Sequence, residues 1–383
     1  MADGNRKVAV VGAALSDCGR VDDATPYTLH AQAARRALAD AGLDRSLVDG
    51  FASAGTGVLA PVEVAEYLGL RPTWVDSTSV GGSTWEVMAA HAADAIAAGH
   101  ANAVLLVYGS TARADIRAGR RTGNLSFGAR GPLQFEVPYG HTLIARYAMA
   151  ARRHMIEHGT TIEQLAEVAV QARQNAALNP EAMFRDPITI DDVLSGPMIA
   201  DPFTKLHCCI RSDGGAAVLL AAEEYVRDCR KAPVWVLGSG ECVSHSAMSE
   251  WEDFTVSPAA VSGRLAFERA GVRPTEIDVA EIYDAFTYMT LVTLEDLGFC
   301  KKGEGGAFVQ ARELPVNTDG GGLSAQHPGM RGLFLLVEAV RQLRGEGEAR
   351  QVWRGEGELP RLAVASGTGG WFCSSGTVVL GRA

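Results

Sequence analysis

The sequence predicts an α/β protein built from one structural half written twice, and three observations predict it. First, "AARRALADAGLDRSLVDGFASAG" and "SGRLAFERAGVRPTEIDVAEIYDAF" read alike: a helix, a helix-ending Ala41-Gly42 or Ala270-Gly271, a second short start and a strand. Second, each copy is followed by a Gly-rich turn and a long apolar helix, "SVGGSTWEVMAAHAADAIAAGH" in one and "GGGLSAQHPGMRGLFLLVEAVRQLRG" in the other. Third, a buried strand follows each of those helices, "ANAVLLVYGS" or "RLAVASGTGG". A duplicated α/β half makes one site where the Gly-rich turns of both copies meet, so the chemistry is sought in a few short segments.

Taken in order, residues 7–12 are a β-branched run ending in Gly12 and read as a buried strand. Residues 28–42 form an amphipathic helix stopped by Gly42. Strands are expected at 48–53 and 73–77, then an Ala-rich helix at 83–98 suited to tight central packing, then a fully apolar strand at 103–108. The stretch from 110 to 202 breaks the pattern. Its Gly/Arg loop, two helices at about 141–158 and 162–178, and Pro-punctuated "NPEAMFRDPITIDDVL" read as an insertion lying over the core. "SDGGAAVLLAAEEYVRD" returns to strand and helix. The second half opens with "PVWVLGSGECV", which echoes "KVAVVGAA". The halves are therefore 1–230, with the insertion at about 110–202, and 231–383, joined through the short polar stretch 227–232.

The 383 residues suffice for two cores of ordinary size; 47% hydrophobic and 21% charged content mark a soluble globular protein. A net charge of −10 argues against nucleic acid or an anionic membrane as main partner. Seven cysteines without a CxxC pair, and no visible targeting segment, lead us to expect a reducing cytoplasm without structural disulfides. Cys208-Cys209 reads as a buried, small apolar pair. No run approaches a membrane span, since the apolar helix around 88–98 is flanked or interrupted by Glu86, His91 and Asp94. No zinc-ligand spacing is present.

Four segments carry candidate chemistry. Ser79-Val80-Gly81-Gly82-Ser83 opens the Ala-rich helix, where free N–H groups and the positive end of the dipole stabilise a developing anion. Glu281-Ile282-Tyr283-Asp284-Ala285-Phe286 follows a strand of the second half. Residues 317–328 contain three consecutive glycines and His327-Pro328, with the backbone able to approach a ligand closely. Gly367-Thr368-Gly369-Gly370 ends a strand as a second N–H nest. Each has a structural alternative: Ser79 as a helix-start residue, Tyr283 as a core aromatic, His327 as a cap, Asp284 as a turn residue, the glycines as an ordinary turn. Arg113, Arg117, Arg120 and Arg121 cluster in the insertion, either as phosphate binders or as a solvated or subunit-contact surface. Tyr139 and His141 are candidates to line the pocket. Cys373 in "WFCSS" reads as a buried structural thiol.

Together these segments resemble the thiolase superfamily over nearly the whole chain, with "YDAFTYMTLVTLEDLGFCKKGEG", "LPVNTDGGGLS" and "GLFLLVEAVRQLRG" similar to the steroid side-chain aldolases of its sterol-carrier/lipid-transfer-type branch. The resemblance implies a layered αβαβα fold with two mixed sheets around shared central helices. It puts Ser79 at the nucleophilic-Cys position, Tyr283 at the Asn/His position and His327 at the Gly-His-Pro histidine. Ala365 or Ser366 stands at the second-Cys position. It also places the arginine loop over the coenzyme A nucleotide. Both family cysteines are replaced, and a serine is hardly ionised at neutral pH. The expected activity is therefore retro-aldol cleavage of a β-hydroxyacyl-CoA to a ketone or aldehyde and a shorter acyl-CoA, a steroid side-chain intermediate being the substrate the resemblance implies. Tyr283 and His327 would move protons and the nests at 79–83 and 367–370 would hold the enolate oxygen. These aldolases carry a second catalytic Tyr near the position of Gln326-His327, so the division of roles stays open. The alternatives are a thiolytic or condensing acyltransferase using Ser79 or Cys373, and a non-catalytic acyl-CoA- or lipid-binding subunit. The resemblance further implies no cofactor beyond the coenzyme A thioester, a homodimer formed through residues 73–77, and a small OB-fold, zinc-ribbon partner that would carry any metal.

Overall fold

The computed structural model describes residues 6–55, 57, 59–120, 131–140 and 142–382. The first half runs β1 (Val8–Leu15), α1 (Pro26–Ala41), β2 (Gly50–Ala52), α2 (Ala60–Leu68), β3 (Trp74–Asp76), α3 (Thr84–Ala97) and β4 (Ala103–Ser110). The insertion supplies α4 (Ala112–Arg117), α5 (Leu143–His158), α6 (Ile162–Ala177), α7 (Ile190–Leu194) and the small hairpin β5 (Met198–Ala200) and β6 (Phe203–Thr204). The half closes with β7 (Gly214–Ala222) and α8 (Glu223–Val226). The second half contains β8 (Val234–Val243), α9 (Ala259–Ala270), β9 (Val279–Ile282), α10 (Thr287–Asp296), α11 (Gly305–Ala311), α12 (Gly332–Arg344), β10 (Leu362–Gly369) and β11 (Ser374–Arg382).

The sheet order is β3-β2-β4-β7-β1-β8-β11-β10-β9. Its two wings are copies: β1 corresponds to β8, β7 to β11, β4 to β10 and β2 to β9, and an isolated parallel bridge between Ala280 and Val316 stands where β3 stands beside β2. Each wing mixes antiparallel pairs with parallel pairing next to β2 or β9. The two mixed sheets expected from sequence meet as one, through an antiparallel seam that pairs only Ala9 with Trp235 and Val10 with Val234.

The repeat extends to small devices. Gly42 and Gly271 end α1 and α9 in the left-handed conformation (φ 73° and 68°), a geometry that glycine adopts without penalty. Asp49 accepts the N–H groups of Asn102 and Ala103 at 2.9 Å, fixing the start of β4. Asp278 does the same for Arg361 and Leu362 at the start of β10, at 2.7 and 3.0 Å.

Alternation along the strands makes the layers. Ala103, Leu105 and Val107 pack outward with α1, whereas Val104 and Leu106 face inward with Trp85, Met88 and Ile96 of α3 and Leu336 and Val340 of α12. In the second wing Val364 and Val379 face α9, and Ala363, Ala365 and Val378 face the same central helices. Both faces of β4 and β7 in the first wing are buried, which is why these strands read as continuous apolar runs. The insertion, which leaves from the first half, packs on the second: α6 touches α10, α11 and the Gly-rich turn at 321–325.

Candidate active site

Tyr283 is the first residue after β9, and its N–H donates to Ser366 O of β10 at 2.9 Å. The register of the sheet therefore fixes where its side chain leaves. The Tyr283 ring is 4% exposed and meets the half-buried His327 ring edge-on, with centroids 5.6 Å apart and planes at 86°. Far apart in sequence, the two proton-carrying candidates are thus adjacent.

The His327 loop is held from below by a buried ion network. Asp284 accepts the N–H groups of Gly322 (2.6 Å) and Leu323 (3.2 Å). Arg331, fully buried, bonds both oxygens of Asp319, donates to Gln326 O at 3.0 Å and lies 3.5 Å from Asp284. Gly321 to Ala325 form one wide turn in which Gln326 N–H reaches Gly321 O, a geometry often found at functional sites. A strap before β7 ties the site segments together: Cys209 N–H donates to Ala285 O, Ile210 N–H to Gly322 O, and His327 N–H to Ser212 Oγ. The cysteine pair is only partly buried, and its backbone forms this strap.

The same burial sets the protonation states. It pushes the Tyr283 phenol well above its usual value, so the hydroxyl keeps its proton. It pushes His327 down to about 4, assisted by the Arg331 charge, so the imidazole is neutral near pH 7. His327 Nε2 is buried and has no hydrogen-bond partner among the described residues. Asp284 is raised to about 7, again by burial, against the opposing pull of Arg331. Burial also pushes Asp319 upward, but the bidentate Arg331 outweighs it and holds that carboxyl below the usual range.

The two Gly-rich turns meet beside Tyr283. Gly81 has φ 85°, and a Cβ there would lie 2.7 Å from Gly370 N and 2.8 Å from Gly369 Cα. At Gly82 a Cβ would lie 2.5 Å from Tyr283 Cζ and 2.4 Å from Thr368 O, so only glycine lets the phenol reach the turn. Ser83 Oγ and Ser374 Oγ, 2.8 Å apart, lock the turns together, and Ser374 also bonds Val80 O. Gly367 takes a different position: it faces α3, where a Cβ would lie 2.1 Å from Glu86 Oε2, so it underlies the nest without lining it. Ser79 is exposed and its side chain has no hydrogen bond among the described residues. Ala365 and Ser366 are buried within β10.

Each described arginine of the candidate cluster is paired with a carboxylate. Arg113 meets Asp22 at 2.9 Å and Asp213 at 3.5 Å, Arg117 meets Asp22 at 3.6 Å, and Arg120 meets Asp115 at 2.8 Å. Arg121 and His141 lie outside the described residues. Tyr139 is 80% exposed. Cys373 is partly buried beside Gly370, its thiol pushed up to about 11 by burial. An open cleft of ≈ 590 Å³ lies between residues 16–20 and 180–183, and a smaller cavity lies behind Asp284; neither is lined by Tyr283 or His327. Among the described residues no group of His, Cys, Asp or Glu side chains is arranged to hold a metal ion, and no helix is long and apolar enough to cross a membrane.

Three contributors escaped the sequence reading. Glu86, in the first turn of α3, is fully buried; neither carboxyl oxygen has a partner among the described residues, and burial raises it to about 8. Arg146 and Tyr147 of α5 contact the 369–373 turn: Tyr147 donates to Gly370 O at 2.7 Å, and the Arg146 guanidinium sits 3.8 Å over the Trp371 ring. A charged residue near the start of an amphipathic helix gives no signal of such a contact. The apolar setting of Glu86 in "STWEVMAAHAA" did give one.

A family model described as Thiolase C-terminal domain-like matches residues 240–382. The chain is 33% identical to an acetyl-CoA acetyltransferase of Methanothermobacter thermautotrophicus over 95% of its own length and 97% of the relative's. It is 33% identical to a 17-hydroxy-3-oxo-4-pregnene-20-carboxyl-CoA lyase of Mycobacterium tuberculosis over 88% and 92%. The solved structure of an Ltp2-ChsH2(DUF35) aldolase superposes with a TM-score of 0.87 at 28% identity, covering 98% of both chains. With its duplicated wings, paired Gly-rich turns and full-length relatives, this chain belongs to the thiolase superfamily.

Proposed function

We propose that the protein cleaves a β-hydroxyacyl-CoA by retro-aldol chemistry, releasing a ketone or aldehyde and a shorter acyl-CoA. The observation that carries this reading is the edge-on Tyr283–His327 pair beside the meeting of the two Gly-rich turns. Neutral His327 takes the proton of the β-hydroxyl. The C–O bond becomes a carbonyl, the Cα–Cβ bond breaks, and its electron pair passes into the thioester enolate. The enolate oxygen is held by amides of the 81–82 and 369–370 turns. Tyr283, which keeps its proton, protonates Cα, and the proton on His327 returns to the phenol. All atoms balance without a second reactant.

The similarity to a pregnene-carboxyl-CoA lyase supports a bulky steroid-type acyl group, and the aldolase complex supports a small partner subunit of the DUF35 kind. For the homodimer, β3 is an edge strand whose Val75 is 50% exposed, as pairing with a second copy requires. Arg113 and Arg117, engaged with Asp22, are assigned to fastening the insertion to the 16–23 loop, and Arg120 to bracing α4 through Asp115. Acyl transfer is the second reading, favoured by the acetyltransferase relative. It requires an activated nucleophile, and Cys373 and exposed Ser79 are poorly suited to that role. Incubation with a β-hydroxyacyl-CoA, followed by mass spectrometry, separates the two. Free carbonyl product and an unmodified chain are expected; a trapped acyl-enzyme, or no carbonyl at any protein concentration with its partner present, would sink the aldolase reading.

A further inference from the structure

The connection from β10 to β11 is only residues 370–373, and it holds Phe372 at φ 61°, a conformation that a bulky side chain rarely adopts. Such a turn persists when its surroundings over-determine it; here Ser244 N–H donates to Cys373 O at 2.9 Å and His245 Nε2 lies 3.3 Å from Trp371 O on one side, and the insertion holds the other. Tyr147 donates its hydroxyl to Gly370 O at 2.7 Å and accepts from Phe372 N–H at 3.2 Å, so one oxygen satisfies a carbonyl and an amide of the turn. Its ring packs at 4.8 Å from both Phe372 and Phe286, the latter in the Tyr283 segment. The neighbouring Arg146 covers the Trp371 ring and is paired at 3.1 Å with Glu136, itself buried and accepting from Ser249 N–H at 3.1 Å. Tyr147 is 2% exposed and Arg146 3%, so neither serves solvent.

We propose that Tyr147 and Arg146 are positioning residues: α5 of the insertion sets the direction of the amides in the 369–372 turn, and with it the strength of the enolate-holding nest. This inference rests on the aldolase reading of that nest. An amide nest stabilises charge only when its donors are fixed beforehand, because reorientation during the reaction consumes the gain. Tyr147 supplies that fixity without touching the reacting atoms. Arg146 adds a flat cationic cover that a lysine cannot reproduce.

The test uses the intact chain, with its partner subunit if activity requires one. In Tyr147→Phe, kcat is expected to fall about 10- to 100-fold, with KM within about twofold. Hydrogen exchange of the 369–373 amides should accelerate while that of α1 and α9 does not change. Arg146→Lys, which keeps the charge opposite Glu136 and loses the stack on Trp371, should show a smaller fall of the same kind. A kcat within twofold of the parent, or unchanged exchange in the turn, overturns the proposal; so does a loss confined to KM. If Tyr147→Phe does not fold, Arg146→Lys decides by the same criteria. If the parent enzyme releases no carbonyl, the aldolase reading fails, and α5 is then judged on turn exchange alone.

Discussion

The two copies share a frame and divide the labour. Gly50 pairs with Val104 as Val279 pairs with Ala363, so Ala54 stands where the second copy has Tyr283. After the β3 position the first copy has the short turn holding Gly81 and Gly82, and the second has the loop ending in His327. In the proposed cleavage the first copy therefore brings backbone amides and the second brings side chains that carry protons. The connection after the fourth-ranked strand is reversed in size: residues 111–213 in the first copy, residues 370–373 in the second. The long one returns to brace the short one through Tyr147. Duplication supplied symmetric geometry, and the departures from symmetry mark the chemistry.

The largest expected effect follows directly. Tyr283→Phe keeps the ring against Gly82 and removes only the hydroxyl, so the fold should hold while kcat falls about 10²- to 10⁴-fold, the range of a general acid or base. Steady-state release of the carbonyl product measures it. A loss under about threefold would mean that the second copy does not hold the acid, and the division between copies would collapse.

A pH series sharpens the same contrast through Glu86 in the first copy and the buried histidines. His30 and His207, both fully buried, are pushed down to about 4 by burial. Between pH 6.5 and 4 the unfolded chain binds more protons than the folded one, so these groups withdraw stability as pH falls through that window. Glu86 acts in the opposite sense: the unfolded chain ionises it near 4.5, and the folded chain retains the proton to about 8. Its contribution is complete below pH 4.5 and is lost as pH rises toward 8. Glu86→Gln should therefore gain on the parent with rising pH, by up to about 1.4 kcal/mol per pH unit inside that window. Parallel denaturation curves from pH 5 to 8 would show that the carboxyl does not stay protonated.

What was legible in sequence was whatever is written locally. Helix-ending Gly42 and Gly271, the alternating or apolar strands, and the motifs around Tyr283 and His327 are each set by neighbours a few residues away. Partners distant in sequence were not legible. Arg113 and Arg117 read as part of an unpaired basic cluster because Asp22 and Asp213 come from other loops. Gly367 read as part of the nest, yet the strand pleat turns it toward Glu86. The joining of two wings into one sheet depends on two residue pairs at the ends of β1 and β8, too short a contact to leave a pattern.

The smallest expected effect tests the comparison most stringently. Ser79 occupies the position that the family resemblance assigns to a nucleophile, and sequence reasoning kept it as a catalytic candidate. Its side chain is exposed and, among the described residues, has no hydrogen bond and thus no base in place to activate it. If the first copy works through backbone amides, Ser79→Ala should change kcat/KM by less than about twofold and stability by no more than about 0.5 kcal/mol, as for an ordinary surface site. The contrast with Tyr283→Phe then spans the whole difference between a turn that contributes its main chain and one that contributes a phenol. A tenfold loss in Ser79→Ala, or an acyl group found on Ser79 by peptide mass spectrometry, would return the first copy to side-chain catalysis and favour acyl transfer over cleavage.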